Sequence, residues 1–222
     1  YCSGNASTPQ LLLQALARDP AIRGVEVLGI LLLGEIEELF SEECCSRLTH
    51  RVIFNSAFSR PAVNEGRAMY QLMHLSDIPR QIRKYLKPDV VLVSVSGPDN
   101  GGNYSLGTAT EAVPAAVESA KSKGGLVIAE RNAKMPFVLG TTIKESQIDF
   151  LIDTDYELPR NPSHSTDERA KKIGEIIAQR YIHDGCTLQY GIGEVPEAVT
   201  DAVIKKGVKD LGIHTELFAT AM

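Results

Sequence analysis

Glu216 stands in Gly212-Ile213-His214-Thr215-Glu216-Leu217-Phe218, which an apolar approach through Val208 and Leu211 marks as a strand running into a loop. One helix upstream lies Gly191-Ile192-Gly193-Glu194-Val195-Pro196, a glycine-rich turn. Glycine lets the backbone approach a ligand closely, and the helix that follows offers unpaired N–H groups. A strand-end carboxylate beside such donors can attack a carbonyl while the donors hold the oxyanion, which is acyl-transfer chemistry.

Other readings of the same residues stay open at this level. Gly191-x-Gly193-x-x-Pro196 superficially matches a dinucleotide fingerprint, with Glu216 as the acidic residue ending the next strand. That fingerprint wants a third glycine where Pro196 stands, for close packing of helix on strand. Ser96-Gly97-Pro98-Asp99-Asn100-Gly101-Gly102 is either a long turn or a substrate-facing loop. Glu130-Arg131-Asn132 should reach the same sheet edge, as a solvated strand end or as functional groups. His214, two residues before Glu216, falls on the same strand face and could tune that carboxylate. No Gly-x-Ser-x-Gly elbow is present, and the histidines and cysteines lack metal-ligand spacing, so no metal is expected.

The elements that must position these groups alternate regularly. Helices are expected over Gln10–Ala17, Ile78–Leu86, Ala112–Ala120, Arg169–Tyr181 (with Ile173, Ile176, Ile177 and Ala178 on one face) and Pro196–Lys206. Thr166-Asp167-Glu168 should cap the fourth, after a proline-rich surface loop at Leu158–Ser163. Strands are expected at Val25–Ile30, Val52–Asn55, Val90–Val95, Leu126–Ala129, Ile148–Ile152, Thr187–Tyr190 and the final apolar run, with Ile30–Leu33 also buried as strand. This pattern predicts an α/β fold: one open, mostly parallel sheet with helices on both faces and its active groups at the strands' carboxyl ends.

Bulk properties narrow the class further. The chain has 222 residues, 43% hydrophobic and 23% charged, with a net charge of −5, which is ordinary globular composition. Without a basic stripe, nucleic acid is not an expected partner. No apolar run approaches the ~20 residues of a membrane helix, so no membrane association is expected. Four cysteines without Cys-x-x-Cys spacing read as reduced, buried thiols of a cytoplasmic compartment. The opening Tyr1-Cys2-Ser3-Gly4 reads as a chain whose first strand has been cut away.

Together these clusters resemble the acetyl-CoA hydrolase/transferase family, which includes 4-hydroxybutyrate and butyrate–acetate CoA-transferases. The resemblance covers Ala6-Ser7-Thr8-Pro9, Pro88 through Ser96-Gly97-Pro98-Asp99 to Ser105-Leu106-Gly107, and Ala129-Glu130-Arg131-Asn132. It closes with Asp184 through Pro196 and with Leu211-Gly212-Ile213-His214-Thr215-Glu216. Gly97 stands where members commonly have a second proline. The resemblance implies a CoA-transferase domain of the NagB/RpiA-like fold over residues 1–222, the N-terminal half of a longer architecture. Its C-terminal CoA-transferase domain would then be supplied in cis or in trans.

By the same resemblance Glu216 is the nucleophile that becomes a glutamyl-CoA thioester. Gly191, Gly193, Glu194, Val195 and Pro196 form the oxyanion and CoA-binding turn. Coenzyme A is then a substrate rather than a resident cofactor, and acyl-CoA and small carboxylates such as acetate are the partners. A cytoplasmic homo-oligomer is implied, or a mitochondrial one in a eukaryote. Acetyl-CoA hydrolysis and a non-catalytic CoA- or carboxylate-binding subunit are the alternatives, with a nicotinamide oxidoreductase behind them.

Overall fold

The computed structural model describes residues 1–160 and 167–218. The chain divides into two compact units, Tyr1–Asn161 and Pro162–Met222.

The first unit is built on one parallel sheet. Strands β1 (Val25–Gly29), β2 (Leu48–Val52) and β3 (Met69–Tyr70) pair in that order. Strands β4 (Val90–Val95), β6 (Leu126–Asn132) and β8 (Phe150–Thr154) form a second parallel set. The Tyr1–Ser3 segment joins them: Cys2 bridges Gly29 on one side and Leu92 on the other, both in parallel. Its hydrogen bonds are Cys2 N–H to Leu28 O at 2.9 Å and Ser3 N–H to Leu92 O at 3.0 Å. Strand order is therefore β3-β2-β1-(1–3)-β4-β6-β8. The chain runs outward from the middle segment, then returns to its other side at β4. In such doubly wound sheets ligands enter the crevice at the carboxyl ends, where the order reverses.

The central strands of this sheet are buried on both faces, their residues alternating between two cores, while Phe150, Leu151 and Ile152 of the edge strand β8 are exposed. Tyr1, Leu28, Val91, Val93, Val95, Val127 and Ala129 face a core closed by Ile78, Ile82, Val113, Ala116 and Val117. These come from α4 (Ile78–Gln81), the π-turn Ile82–Leu86 and α5 (Val113–Lys121). Cys2, Val27, Leu48 and Val52 face the other, with Leu13, Leu39, Phe40, Cys44 and Ala62. Those come from α1 (Gln10–Arg18), the 3₁₀ turn Glu37–Phe40, α2 (Glu42–Arg47) and α3 (Ser59–Asn64). Beyond Val90, which is exposed, the β-branched run of β4 is continuous because it lies between the two cores. A short antiparallel pair, β5 (Asn103–Ser105) with β7 (Thr142–Lys144), sits beyond the carboxyl end of β4.

The second unit holds α6 (Glu168–Tyr181), β9 (Thr187–Leu188), α7 (Glu194–Lys206) and β10 (Gly212–Ile213), with β9 and β10 paired in parallel. The Asp167 side chain caps α6 by accepting from Ala170 N–H at 2.6 Å. Helices α6 and α7 approach so closely that a Cβ on Gly174 would lie 2.5 Å from the Ala198 backbone. The buried stripe of α6 is therefore Ala170, Gly174 and Ala178. Ile173 and Ile176 are exposed, against the apolar face expected for them, because only small residues fit the seam. Lys206 Nζ closes the far end of α6, donating to Ile182 O at 2.6 Å and Ala178 O at 2.8 Å.

Several boundaries differ from expectation. Ile30 and Leu32 are buried, but strand β1 stops at Gly29, and Gly34 then turns the chain in a left-handed conformation. Strand β2 is Leu48–Val52 rather than Val52–Asn55, because its polar His50 is buried at 1% exposure and hides the period. The helix expected to Leu86 relaxes into the π-turn, and the final strand shrinks to Gly212–Ile213. The loop expected at Leu158–Ser163 and the cap residue Thr166 lie largely outside the described residues. Cys2 and Cys44 are buried free thiols, as expected; Cys45 and Cys186 are only half-buried.

Candidate active site

The site begins with the two short parallel strands of the second unit. Gly212 pairs with Thr187 and Ile213 with Leu188, so their carboxyl ends lie side by side. Past the strand end, His214 N–H donates to Leu188 O at 3.0 Å. One residue on, Tyr190 N–H donates to Thr215 Oγ1 at 3.1 Å, and that hydroxyl donates back to Tyr190 O at 2.9 Å. The pairing of the strands is thus prolonged by a side chain after both have ended. It fixes the residue before Glu216 against the residue before Gly191. Sequence reasoning assigned Thr215 no role; a hydroxyl at a strand end, where a ladder lacks partners, is the signal that could have found it.

Between Tyr190 and α7 the turn is shaped by its glycines unequally. Gly193 has φ 116° and ψ −179°, a backbone region essentially closed to other residues. Gly191 is not so constrained, and a Cβ there would make only an ordinary contact with Pro196 Cγ at 3.9 Å. Helix α7 starts at Glu194 rather than Pro196, so Glu194 and Val195 lie in its first turn with Pro196 behind them. Gly193 offers no capping side chain, and among the described residues the N–H groups of Glu194 and Val195 have no acceptor. Those donors carry the positive end of the helix dipole.

Glu216 itself is exposed, as are Gly191, Ile192 and Val195, while Gly193, Glu194 and Pro196 are half-buried. No salt bridge or hydrogen bond to the Glu216 carboxylate occurs among the described residues, and the His214 ring makes none with it. Phe218 is 76% exposed and Leu217 half-buried. The geometry therefore places Glu216, exposed, just past one strand, and the glycine turn with its uncapped helix N-terminus just past the strand paired with it.

The other polar groups singled out in sequence have different surroundings. Glu130 is 0% exposed and faces the start of α1 rather than solvent. Its Oε1 accepts from Leu12 N–H at 2.6 Å, and its other oxygen accepts from the Tyr156 hydroxyl. That hydroxyl also receives the Gln10 N–H at 3.2 Å. Pro9 at the N-cap has no capping side chain, so a carboxylate from β6 supplies the acceptor instead. Burial raises the Glu130 carboxyl, and the Tyr156 hydroxyl and the Leu12 and Leu11 amides pull it back. Asp99 is likewise consumed locally, Oδ1 accepting from Gly101 N–H and Asn103 N–H at 2.8 Å each.

Comparison with known proteins follows this division of the chain. The N-terminal domain model of the acetyl-CoA hydrolase/transferase family matches residues 1–159. The chain is 37% identical over 199 residues to 4-hydroxybutyrate coenzyme A transferase of Clostridium kluyveri, covering 88% of this chain and 44% of that protein. It is 30% identical over 225 residues to succinyl-CoA:acetate/propanoyl-CoA:succinate CoA transferase of Fasciola hepatica, covering 99% of this chain and 45% of that one. Among solved structures, RipA from Yersinia pestis superposes with TM-score 0.85 at 26% identity, over 99% of this chain and 53% of its own. The 4-hydroxybutyrate CoA-transferase from Porphyromonas gingivalis gives TM-score 0.68 at 30% identity, over 99% and 50%. The chain thus spans about half the length of the relatives it matches. With a family model matching the whole doubly wound sheet, the chain belongs to the acetyl-CoA hydrolase/transferase family.

Proposed function

We propose that this chain carries the nucleophile of an enzyme that moves CoA between a short-chain acyl-CoA and a free carboxylate such as acetate. The Glu216 carboxylate attacks the thioester carbonyl of the donor, giving an acyl-glutamyl anhydride and CoA thiolate. The thiolate attacks the glutamyl carbonyl, releasing the donor's carboxylate and leaving a glutamyl-CoA thioester. The acceptor carboxylate attacks that thioester, and the freed thiolate then attacks the acceptor's carbonyl in the new anhydride. Acyl-CoA leaves and Glu216 is regenerated. Every step passes through an oxyanion, for which the N–H groups of Gly191, Gly193, Glu194 and Val195 are the donors. Pro196 stiffens the turn behind them.

The observation that carries this reading is the reciprocal Thr215–Tyr190 hydrogen bonding, which ties the Glu216 strand end to that turn. An exposed carboxylate is hydrated and weakly nucleophilic, so the reading includes a second CoA-transferase domain, in cis or in trans, that excludes water from Glu216. Coenzyme A is a substrate here, and no resident cofactor is invoked. A cytoplasmic or mitochondrial homo-oligomer fits the same reading.

The test is trapping. The complete protein, incubated with acyl-CoA and then borohydride or hydroxylamine, should carry a modification on the peptide containing Glu216, and ping-pong kinetics between acyl-CoA and acetate. Release of CoA that is independent of acetate would mark the enzyme as a hydrolase. Binding of CoA without any adduct on Glu216 would mark a non-catalytic subunit.

A further inference from the structure

One face of the first unit's sheet is covered by α1, α2 and α3 over β1 and β2 but left open at its far end. The register places Val90 beside Leu126, Ile128 beside Phe150 and Glu130 beside Ile152. Because side chains alternate along a strand, these residues share one face with Glu130, whose carboxylate meets the start of α1. Val90, Leu126, Phe150 and Ile152 are exposed, Phe150 by 58%, and Ile128 is half-buried. The charges nearby belong to the opposite face, where Asp149 pairs with Lys121 of α5 and Asp153 with Arg131. Helix α1 is apolar well beyond its core side, and its Leu11 and Ala15 are also exposed. A helix apolar nearly all round belongs in an interior. A parallel sheet likewise occurs almost only with both faces covered. The patch is therefore an interior surface whose cover this unit does not supply.

We propose that a helix from the half of the protein beyond this chain lies on this patch, alongside α1, and completes the cover of β4, β6 and β8. The chain spans 44% and 45% of two relatives, and the family's N-terminal domain model is already met by residues 1–159. The family architecture thus holds a further half in every copy. A second copy of this chain would make the cover depend on concentration, whereas the sheet needs it in each molecule as it folds. The occupant is a helix rather than a strand: a strand would pair with the open edge of β8 and leave Val90 and Leu126 bare. Its docking side is apolar and uncharged, because the patch offers no charge to pair with.

Phe150→Cys, labelled with a thiol reagent and read on the residue-150 peptide by mass spectrometry, tests this. Labelling of the complete protein should be roughly a hundredfold slower than that of the 222-residue chain, as at a site reached only through local opening. Dilution should not restore the rate, and Leu126→Cys on the neighbouring strand should be slowed likewise. Equal rates in the complete protein and the 222-residue chain would overturn the proposal. So would slowing that is lost on dilution, the mark of a second copy. Slowing at Phe150→Cys with Leu126→Cys unaffected, the pattern of a strand added to the β8 edge, would overturn it too. Phe150→Asp gives an independent reading should a cysteine variant fail to fold. It should lower the Tm of the complete protein by several degrees and leave that of the 222-residue chain unchanged. An equal change in both would again overturn the docking.

Discussion

Thr215 and Tyr190 exchange two hydrogen bonds, at 3.1 and 2.9 Å, one residue away from Glu216 and from Gly191 respectively. The proposed nucleophile and the proposed oxyanion turn are therefore registered against each other by a single hydroxyl. Thr215→Val keeps the shape and β-branching but removes both bonds, leaving a half-buried carbonyl and amide to find water. We expect a stability loss of about 1–2 kcal/mol by denaturant unfolding. Turnover should fall ~10²-fold, because a misplacement of about 1 Å at a reacting group costs that much. Thr215→Ser should restore both. If Thr215→Val matched wild type in turnover, the registration would be irrelevant to the chemistry.

The two glycines of the turn should behave differently. Gly193→Ala forces a side chain onto φ 116°, at about 1–3 kcal/mol of strain. The displaced N–H should lower kcat more than it raises KM, since an oxyanion contact strengthens only in the transition state. Gly191→Ala meets only the ordinary 3.9 Å contact with Pro196 and should leave thermal stability within ~0.5 kcal/mol of wild type. A rise in KM alone for Gly193→Ala would mark the turn as a uniform binding element.

Glu216 is exposed and unpaired among the described residues, so Glu216→Gln should leave the melting temperature unchanged while abolishing transfer. Glu216→Asp withdraws the carboxylate by one methylene and should retain ~10⁻² of the activity. Near wild-type turnover in Glu216→Gln would remove the nucleophile assignment altogether.

Glu130 illustrates what was legible in sequence and what was not. Its place on a buried parallel strand follows from the Leu126–Ala129 run, but the strand continues to Asn132, so Glu130 lies within it, between Ser94 and Ile152, and not at its end. Its role is not readable there, because the groups it satisfies, Leu12 N–H and the Tyr156 hydroxyl, are remote in sequence. The same limit applies to β2, whose His50 is buried by tertiary packing against Phe40, with ring centroids 5.1 Å apart. Alternation of apolar runs with amphipathic helices did specify the parallel sheet, since burial on both faces is written into β4 residue by residue. The glycine turn and Glu216 were visible as motifs; the Thr215 bonds joining them depend on a register that only the paired strands reveal.

Because Glu130 accepts for the first turn of α1, its removal should be costly. Glu130→Ala would orphan the Leu12 amide and leave the Tyr156 hydroxyl only its long 3.4 Å bond to Thr8 O, for about 3 kcal/mol. At this chain length that corresponds to a drop of ~10 °C in Tm. Glu130→Gln retains one acceptor and should lose roughly a third as much. Equal stability of Glu130→Ala and wild type would show that the cap is dispensable.

Two buried groups should give stability opposite slopes with pH. His50 is neutral in the core, its pKa lowered to about 4 by burial and then by Arg47, and neither ring nitrogen has a partner among the described residues. The unfolded chain takes up its proton near 6.5, so the stability His50 contributes is complete above 6.5 and is lost as pH falls toward 4. Glu111 is raised from 4.5 to about 7 by burial, so its contribution is complete below 4.5 and is lost as pH rises through 7. Glu130, also raised by burial, acts in the same direction as Glu111. Each of His50 and Glu111 is worth up to about 3 kcal/mol over its window. Between pH 4.5 and 6.5 the His50 and Glu111 slopes oppose each other, so wild-type Tm should change there mainly by the share due to Glu130. His50→Leu removes the acid limb and leaves no donor or acceptor without its partner, so that variant should be at least as stable as wild type at pH 5. Glu111→Gln should flatten the limb between pH 6 and 8, apart from the share due to Glu130. His50→Leu should therefore gain stability relative to wild type as pH falls from 6.5 to 4, and a constant difference between the two across that window would place the acid sensitivity elsewhere in the chain.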